Sequence, residues 1–273
     1  MRGSPRAIAE SAAREAGTLL RDNLHRAVVV ETKGRADFVT GLDLRANDLI
    51  RARLGAAFPD HRFLTEETVN APLGDEPTWV VDPVDGTLNL VHGFPYIAVS
   101  LALVVRGEVA VGVVCDPLGD ELFTAAAGEG AACNGGPISV DGGADPSSAL
   151  VAFDLAHDEE AARDSMELAS ALRPRVAALR LAGSAALALC HVAAGRLGGF
   201  FHHRLEPWDM AAAMRIVREA GGCVTDFEGR PVTRPRTGPL VAGHAPIVDQ
   251  IHRAEQERRQ ASGPGGQAGP EVE

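Results

Sequence analysis

The densest chemistry in the chain is Trp79-Val80-Val81-Asp82-Pro83-Val84-Asp85-Gly86-Thr87, where an apolar run gives way to two carboxylates. Pro83 stiffens the turn between them and Gly86 permits tight backbone geometry. Active-site groups commonly stand where a strand passes into a loop. Two carboxylates converging on one point repel, and one takes up a proton unless a cation intervenes. Mg²⁺ suits such a pair, because it prefers a few carboxylates, water and substrate phosphate to a closed protein cage. The competing reading is an Asp-rich turn whose side chains bond backbone N–H groups.

Three further acidic segments are ambiguous when taken singly. Leu64-Thr65-Glu66-Glu67-Thr68 reads as a solvated turn, although it follows an apolar Phe63-Leu64. Pro207-Trp208-Asp209 opens an alanine-rich helix, where Asp is an ordinary N-cap. Asp43, downstream of Asp37-Phe38-Val39-Thr40, is equally an acid in the first turn of a helix.

The elements that must position these groups alternate. Residues 6–24 carry Ile8, Ala9, Ala12, Ala13, Ala16, Leu19 and Leu20 on one helical face. Lys33, Gly34 and Arg35 suggest a polar loop, and a second helix starts near Thr40 and closes at Pro59. The short strand Trp79-Val80-Val81 is predicted to end at the two carboxylates, and runs over 97–105 and 109–115 form a hairpin at Arg106-Gly107-Glu108. A further strand covers 120–125. Strands near 149–153, 177–181 and 197–201 are separated by helices over 158–172 and 184–195, and a helix over 208–220 ends at Gly221-Gly222. This is a mixed α/β pattern. Residues 258–273, with Ser262-Gly263-Pro264-Gly265-Gly266, read as a disordered tail.

Composition excludes some functions. With 45% apolar residues the chain can bury a core, and 26 basic against 37 acidic residues give a net charge of −11. That balance argues against nucleic acid as partner, because such binding neutralises phosphates with Lys and Arg. No run is long and apolar enough for a membrane span, and no signal peptide is expected. Cys115, Cys133, Cys190 and Cys223 form no C-x-x-C motif, so free thiols in the cytoplasm are expected.

Taken together, D-F-V-T-x-x-D, L-T-E-E-T, W-V-V-D-P-V-D-G-T-L-N-L-V-H-G-F-P and P-W-D-M-A-A-A resemble the inositol monophosphatase family. Cys133-Asn134-Gly135, Gly183-Ser184-Ala185-Ala186 and Glu219-Ala220-Gly221-Gly222 agree, and the likeness runs in order from about residue 6 to 250. The resemblance implies an α/β fold of layered α-β-α-β-α type, one domain over 1–257 with halves of about 1–145 and 146–257, and a homodimer. It implies Mg²⁺-dependent, Li⁺-sensitive hydrolysis of phosphomonoesters with two or three ions per site. By position, Glu66, Asp82 and the Val84 carbonyl resemble the ligands of an activating metal, and Asp82, Asp85 and Asp209 those of a second. Glu66 would also face a third ion. Asp43 and Thr87 resemble the pair that orients the attacking water, so Asp43, Glu66 and Thr87 are the catalytic candidates. The N–H groups of Gly86 and Thr87 would hold phosphate, with Gly183, Ser184, His202 and Asp209 as further substrate contacts. The loop with Lys33 resembles a mobile loop near the site.

One position departs. Seven residues before the Trp-Asp aspartate, many inositol phosphatases carry a Glu that bonds ring hydroxyls, and here that residue is His202. Imidazole cannot bind two vicinal hydroxyls as a carboxylate does; a strand-end surface residue without a ligand role is the alternative. The expected function is therefore hydrolysis of a small phosphorylated polyol or sugar. Fructose-1,6-bisphosphatase, histidinol-phosphate phosphatase and a regulatory scaffold acting through protein contacts are the alternatives. A phosphoadenosine nucleotide ranks lower because aromatics make up only 4%. A metal-free glycosidase would use two carboxylates rather than four.

Overall fold

The computed structural model describes residues 3–24, 29–34, 37–68, 73–140 and 145–261, with only the backbone for 32–34 and 37. Ser4 accepts a hydrogen bond from the Ala7 N–H and starts α1 (Pro5–Arg21). β1 (Val29–Gly34) and β2 (Asp37–Thr40) pair antiparallel. β1 replaces the polar loop suggested at Lys33 and Gly34, because the β-branched Val29, Val30, Val39 and Thr40 favour a pleated pair; Arg35 lies outside the described residues. The Lys33 side chain lies outside the described residues. Thr40 and Asp43 then form a reciprocal capping box at the start of α2 (Gly41–Ala57).

A seven-stranded sheet follows: β3 (Arg62–Thr65), β4 (Thr78–Asp85), β5 (Ala98–Val105), β6 (Glu108–Asp116), β7 (Glu121–Ala126), β8 (Ala131–Cys133) and β9 (Gly136–Ile138), in that spatial order. β3 and β4 are parallel and the other neighbours antiparallel. The second sheet has the order β11 (Ala178–Arg180), β10 (Leu150–Phe153), β12 (Gly199–Leu205), β14 (Gly238–Gly243) and β13 (Cys223–Thr225). The helices are α3 (Thr87–His92), α4 (Glu159–Leu172), α5 (Ala185–Ala193), α6 (Pro207–Glu219) and α7 (Ala245–Ala261).

Strand alternation sorts the core into three seams. Trp79 and Val81 face α1 and α2, together with Leu101 and Val113. Val80 faces the other way, into a seam where α5 and α6 lie between the two sheets. Phe153, Phe201 and Val241 face outward from the second sheet onto Leu168 and Leu172 of α4 and Ile247 and Ile251 of α7. The result is the expected α-β-α-β-α layering. Alanine makes the middle layer thin: Ala186, Ala188, Ala211, Ala212 and Ala213 are all buried there. At Gly112 a Cβ atom would come within 2.3 Å of the Ala212 carbonyl oxygen, so β6 needs glycine where α6 crosses it.

Three expectations are corrected. β4 does not stop at Val81 but continues through Asp85, with a register shift between Asp82 and Asp85 around Pro83, which has no N–H for the ladder. β12 extends to Leu205, because His202 still pairs with Leu240 of β14; His202 is buried inside a strand, not exposed at its end. The tail boundary at 258 also moves, since α7 runs to Ala261, held by Arg258 and Arg259.

Candidate active site

Both sheets and the middle helices send residues to one open cleft of about 590 Å³, lined by Glu66, Asp82, Val84, Asp85, Gly86, Thr87, Gly183, His202 and Asp209 among others. Glu66 follows β3 and donates its N–H to the Val81 carbonyl, which ties it to the neighbouring strand. Asp82 accepts from the Val84 N–H at 2.9 Å across the bulge of β4. Asp85 Oδ2 accepts from the Ser184 hydroxyl at 2.6 Å and the Ala186 N–H at 2.7 Å. Asp209 accepts from the Glu206 N–H at 2.8 Å and faces the cleft as well. Glu206, not Asp209, is the N-cap of the helix; Asp209 stands three residues further in, completing the capping box while it lines the cleft.

Charge is concentrated here. Burial, then the Glu66, Asp85 and Asp209 carboxylates, push Asp82 well above the usual aspartate range. Burial followed by the charges of Asp85 and Glu66 does the same to Asp209. Burial takes Asp85 up to about 6 despite its bonds from Ser184 and Ala186. Among the described residues, no ion pair neutralises Asp82, Asp85 or Asp209. The all-oxygen, like-charged set of Asp82, Asp85 and Asp209 fits a hard divalent cation. Among the described residues, no group of three or more His, Cys, Asp or Glu side chains is gathered closely enough to hold a metal ion by itself. The acids line an open wall, as suits an ion that keeps water and substrate oxygens in its shell.

Thr87 opens α3 and donates to Asp43 Oδ1 at 2.8 Å, with the Val84 carbonyl at 3.0 Å. Asp43 itself stands behind Thr87 and does not line the cleft. Gly86 has φ +100°, and a Cβ there would meet the Gly183 carbonyl at 2.9 Å, so the turn excludes side chains.

Two expected substrate contacts are placed differently. Ser184 is buried and does not line the cleft; the left-handed turn at Gly183 sends its hydroxyl to Asp85. His202 lines the cleft, but its Nδ1 accepts from the Arg204 N–H at 3.0 Å. Burial, and then the nearby His203 and His157, lower its pKa to about 3, so it is neutral.

Two residues escaped the sequence reading. Asp154 Oδ1 accepts from the Ala182 and Gly183 N–H groups at 3.1 and 2.7 Å. Asn89 Nδ2 donates to the Ala182 carbonyl at 2.7 Å and the Tyr96 carbonyl at 2.8 Å. They clamp the peptide before Ser184 from both sides. Asp154 carried the same signal as Asp82, since an apolar run, Leu150-Val151-Ala152-Phe153, ends in a carboxylate.

The layered fold and carboxylate-lined cleft, taken with the family match over the chain, define a phosphoric monoester hydrolase. The model of the inositol monophosphatase family matches residues 4–260. Inositol monophosphatase 3 of Solanum lycopersicum is 42% identical, over 81% of this chain and 85% of the relative. The Nus factor SuhB of Vibrio cholerae is also 42% identical, with the same coverage. Among solved structures, an IMPase from Thermotoga maritima aligns with a TM-score of 0.85 and 33% identity, over 93% of this chain and 97% of that one. The chain belongs to the inositol monophosphatase family. No helix among the described residues is long and apolar enough to cross a membrane.

Proposed function

We propose that the chain is a Mg²⁺-dependent phosphomonoesterase that releases phosphate from a small phosphorylated polyol or sugar. The observation carrying this reading is the meeting of Glu66, Asp82, Asp85 and Asp209 on one cleft beside the Gly86-Thr87 turn. The four carboxylates and the Val84 carbonyl would hold the cations, whose bound charge activates water and stabilises the leaving oxygen. The Gly86 and Thr87 N–H groups would receive the phosphate. Thr87, fixed by Asp43, would orient the attacking water. Such a reaction needs mainly positioning and charge stabilisation. Ser184, bonded to Asp85, keeps that carboxylate aimed at the cleft. The same reading proposes Li⁺ inhibition, two or three ions per site, a homodimer and a cytoplasmic location.

The test is phosphate release from inositol 1-phosphate, fructose 1,6-bisphosphate, histidinol phosphate and glycerol phosphate, each with Mg²⁺, with chelator and with added Li⁺. Mg²⁺-dependent, Li⁺-sensitive release from one ester supports the reading; release that survives exhaustive chelation overturns it. Relatives named as Nus factors favour a second reading, action through protein contacts. That reading predicts cation binding with no turnover of any ester.

A further inference from the structure

His202, Arg204 and Glu206 occupy alternate positions along the end of β12 and its exit, and all three line the cleft. His202 is buried and neutral, and its Nδ1 accepts the Arg204 N–H, so it fixes the backbone of the residue two further on. Arg204 and Glu206 keep their side chains 57% and 34% exposed. Arg204 Nε stands 3.8 Å from Glu206 Oε1. That is beyond hydrogen-bond length, and so loose a pair in contact with water contributes little to stability.

Glu206 is nevertheless held in place. Thr237 donates its hydroxyl to Oε2 at 2.5 Å, and the Glu206 N–H is bonded to Asp209 Oδ2 at 2.8 Å. The carboxylate therefore stands beside a proposed cation ligand, close enough for its charge to help raise the Asp209 carboxyl. A carboxylate accepts about four hydrogen bonds, so Thr237 and the capping box leave it capacity. A guanidinium donates and never accepts, whereas an alcohol hydroxyl does both. One hydroxyl can donate to Glu206 and accept from Arg204, filling the gap between them. The guanidinium keeps further N–H groups for a hydroxyl on the next carbon. His157, Asp158 and Glu159 line the cleft too, from the start of α4, but Asp158 caps that helix through the Ala161 N–H. Asp154 likewise holds the Ala182 and Gly183 N–H groups.

We infer that Arg204 and Glu206 are the specificity-determining pair for the alcohol half of the ester, holding vicinal hydroxyls of the polyol or sugar that His202 is not equipped to hold. The inference rests on the phosphatase reading above and assigns its polyol contacts.

The experiment measures kcat and KM, with Mg²⁺, for inositol 1-phosphate and for ethyl phosphate, which carries no free hydroxyl on its alcohol. The parent chain is compared with Glu206→Ala, Arg204→Ala, their double variant and Thr237→Val. Comparing variants by the inositol-to-ethyl ratio of kcat/KM cancels the difference between the two leaving oxygens. Glu206→Ala and Arg204→Ala should each lower that ratio about tenfold, mainly through KM for inositol 1-phosphate, as the loss of one charged hydrogen bond implies. The double variant should lose less than the product of the two single losses, because one hydroxyl bridges both side chains. Thr237→Val loosens Glu206 without removing it and should lower the ratio about threefold. Arg204 and Thr237 are exposed, so their variants read the ratio even where Glu206→Ala fails to fold. An unchanged ratio, or a parent chain that hydrolyses ethyl phosphate alone, overturns the inference and leaves the phosphatase reading standing. Equal losses on both esters with a raised Mg²⁺ requirement would show that Glu206 only steadies Asp209, and overturn it as well. If the parent chain releases phosphate from neither ester, the phosphatase reading falls and this inference falls with it.

Discussion

Asp82 sits where the Glu66, Asp85 and Asp209 charges all reach it, so it is the residue whose loss most alters the site. Asp82→Asn should reduce kcat by about a thousandfold or more, on the scale of removing a centrally placed charge from an active site. Glu66 lines the cleft and Glu67 does not, so Glu66→Gln should depress turnover far more than Glu67→Gln; parallel kcat and Mg²⁺-activation curves decide it. Asp154 acts one step back, through the peptide that carries Ser184 to Asp85. Asp154→Ala should raise the Mg²⁺ needed for half-maximal activity by about tenfold, as losses of supporting hydrogen bonds commonly do. Asp154→Asn should restore most of it, since an amide oxygen still accepts from the Ala182 and Gly183 N–H groups. Equal damage from both variants would contradict the positioning role. Asp82 and Asp85 stood out in the sequence because they end an apolar run, whereas Glu66, Asp43 and Asp209 were ambiguous singly and were assigned through the family resemblance. The directions of Ser184 and His202 were not legible. One depends on a left-handed turn at Gly183, the other on β12 continuing past residue 201 to pair with β14.

Elements were legible in proportion to their periodicity. α1, α2 and α6 repeat apolar residues at helical spacing and appear within a few residues of expectation. β1 was hidden by polar composition, and α7, for which no helix was expected, is fastened by partners distant in sequence. In α7, Glu255 is 1% exposed at its side chain and takes bonds from Arg258 and Arg259. Arg258 also reaches Asp164 and Glu167 of α4. Burial raises the Glu255 carboxyl, but the nearby His203 and the bonds from Arg258 and Arg259 outweigh it and bring the pKa from 4.5 to about 2. A carboxylate with a lowered folded-state pKa contributes stability above its unfolded value, and that contribution fades as pH falls from 4.5 toward 2. Urea unfolding of Glu255→Gln should therefore show a shallower loss of stability across that acid window than the parent chain. Ending the chain after Glu257 removes both arginines and leaves a buried carboxylate short of partners, which should cost about 3 kcal/mol by the same measurement. An unchanged unfolding midpoint would return residues 258–261 to the status of a dispensable tail.

At the scale of the whole molecule, the thin alanine layer keeps the two sheets close enough to share one cleft. Gly112 is the tightest point, and Gly112→Val would drive a side chain into the backbone of α6 at Ala212. Overpacking against a backbone that cannot yield should cost about 3 kcal/mol or more, seen as a lower urea midpoint. Because Asp209 stands at the start of that same helix, surviving folded protein should also need more Mg²⁺ for activity. The layering followed from the alternation of elements, but the thinness did not, because close approach depends on which alanines and glycines meet across layers. The division of the acids has a consequence for when the site exists at all. Glu66, Asp82 and Asp85 belong to the first sheet, whereas Asp209 and the Ser184 and Asp154 supports come from elements after it. A nascent chain, or one loosened by heat, holds only part of the charge that would gather a cation. On the proposed cation-dependent reading, a half-formed molecule would therefore be silent rather than slow, its site existing only once both sheets have met.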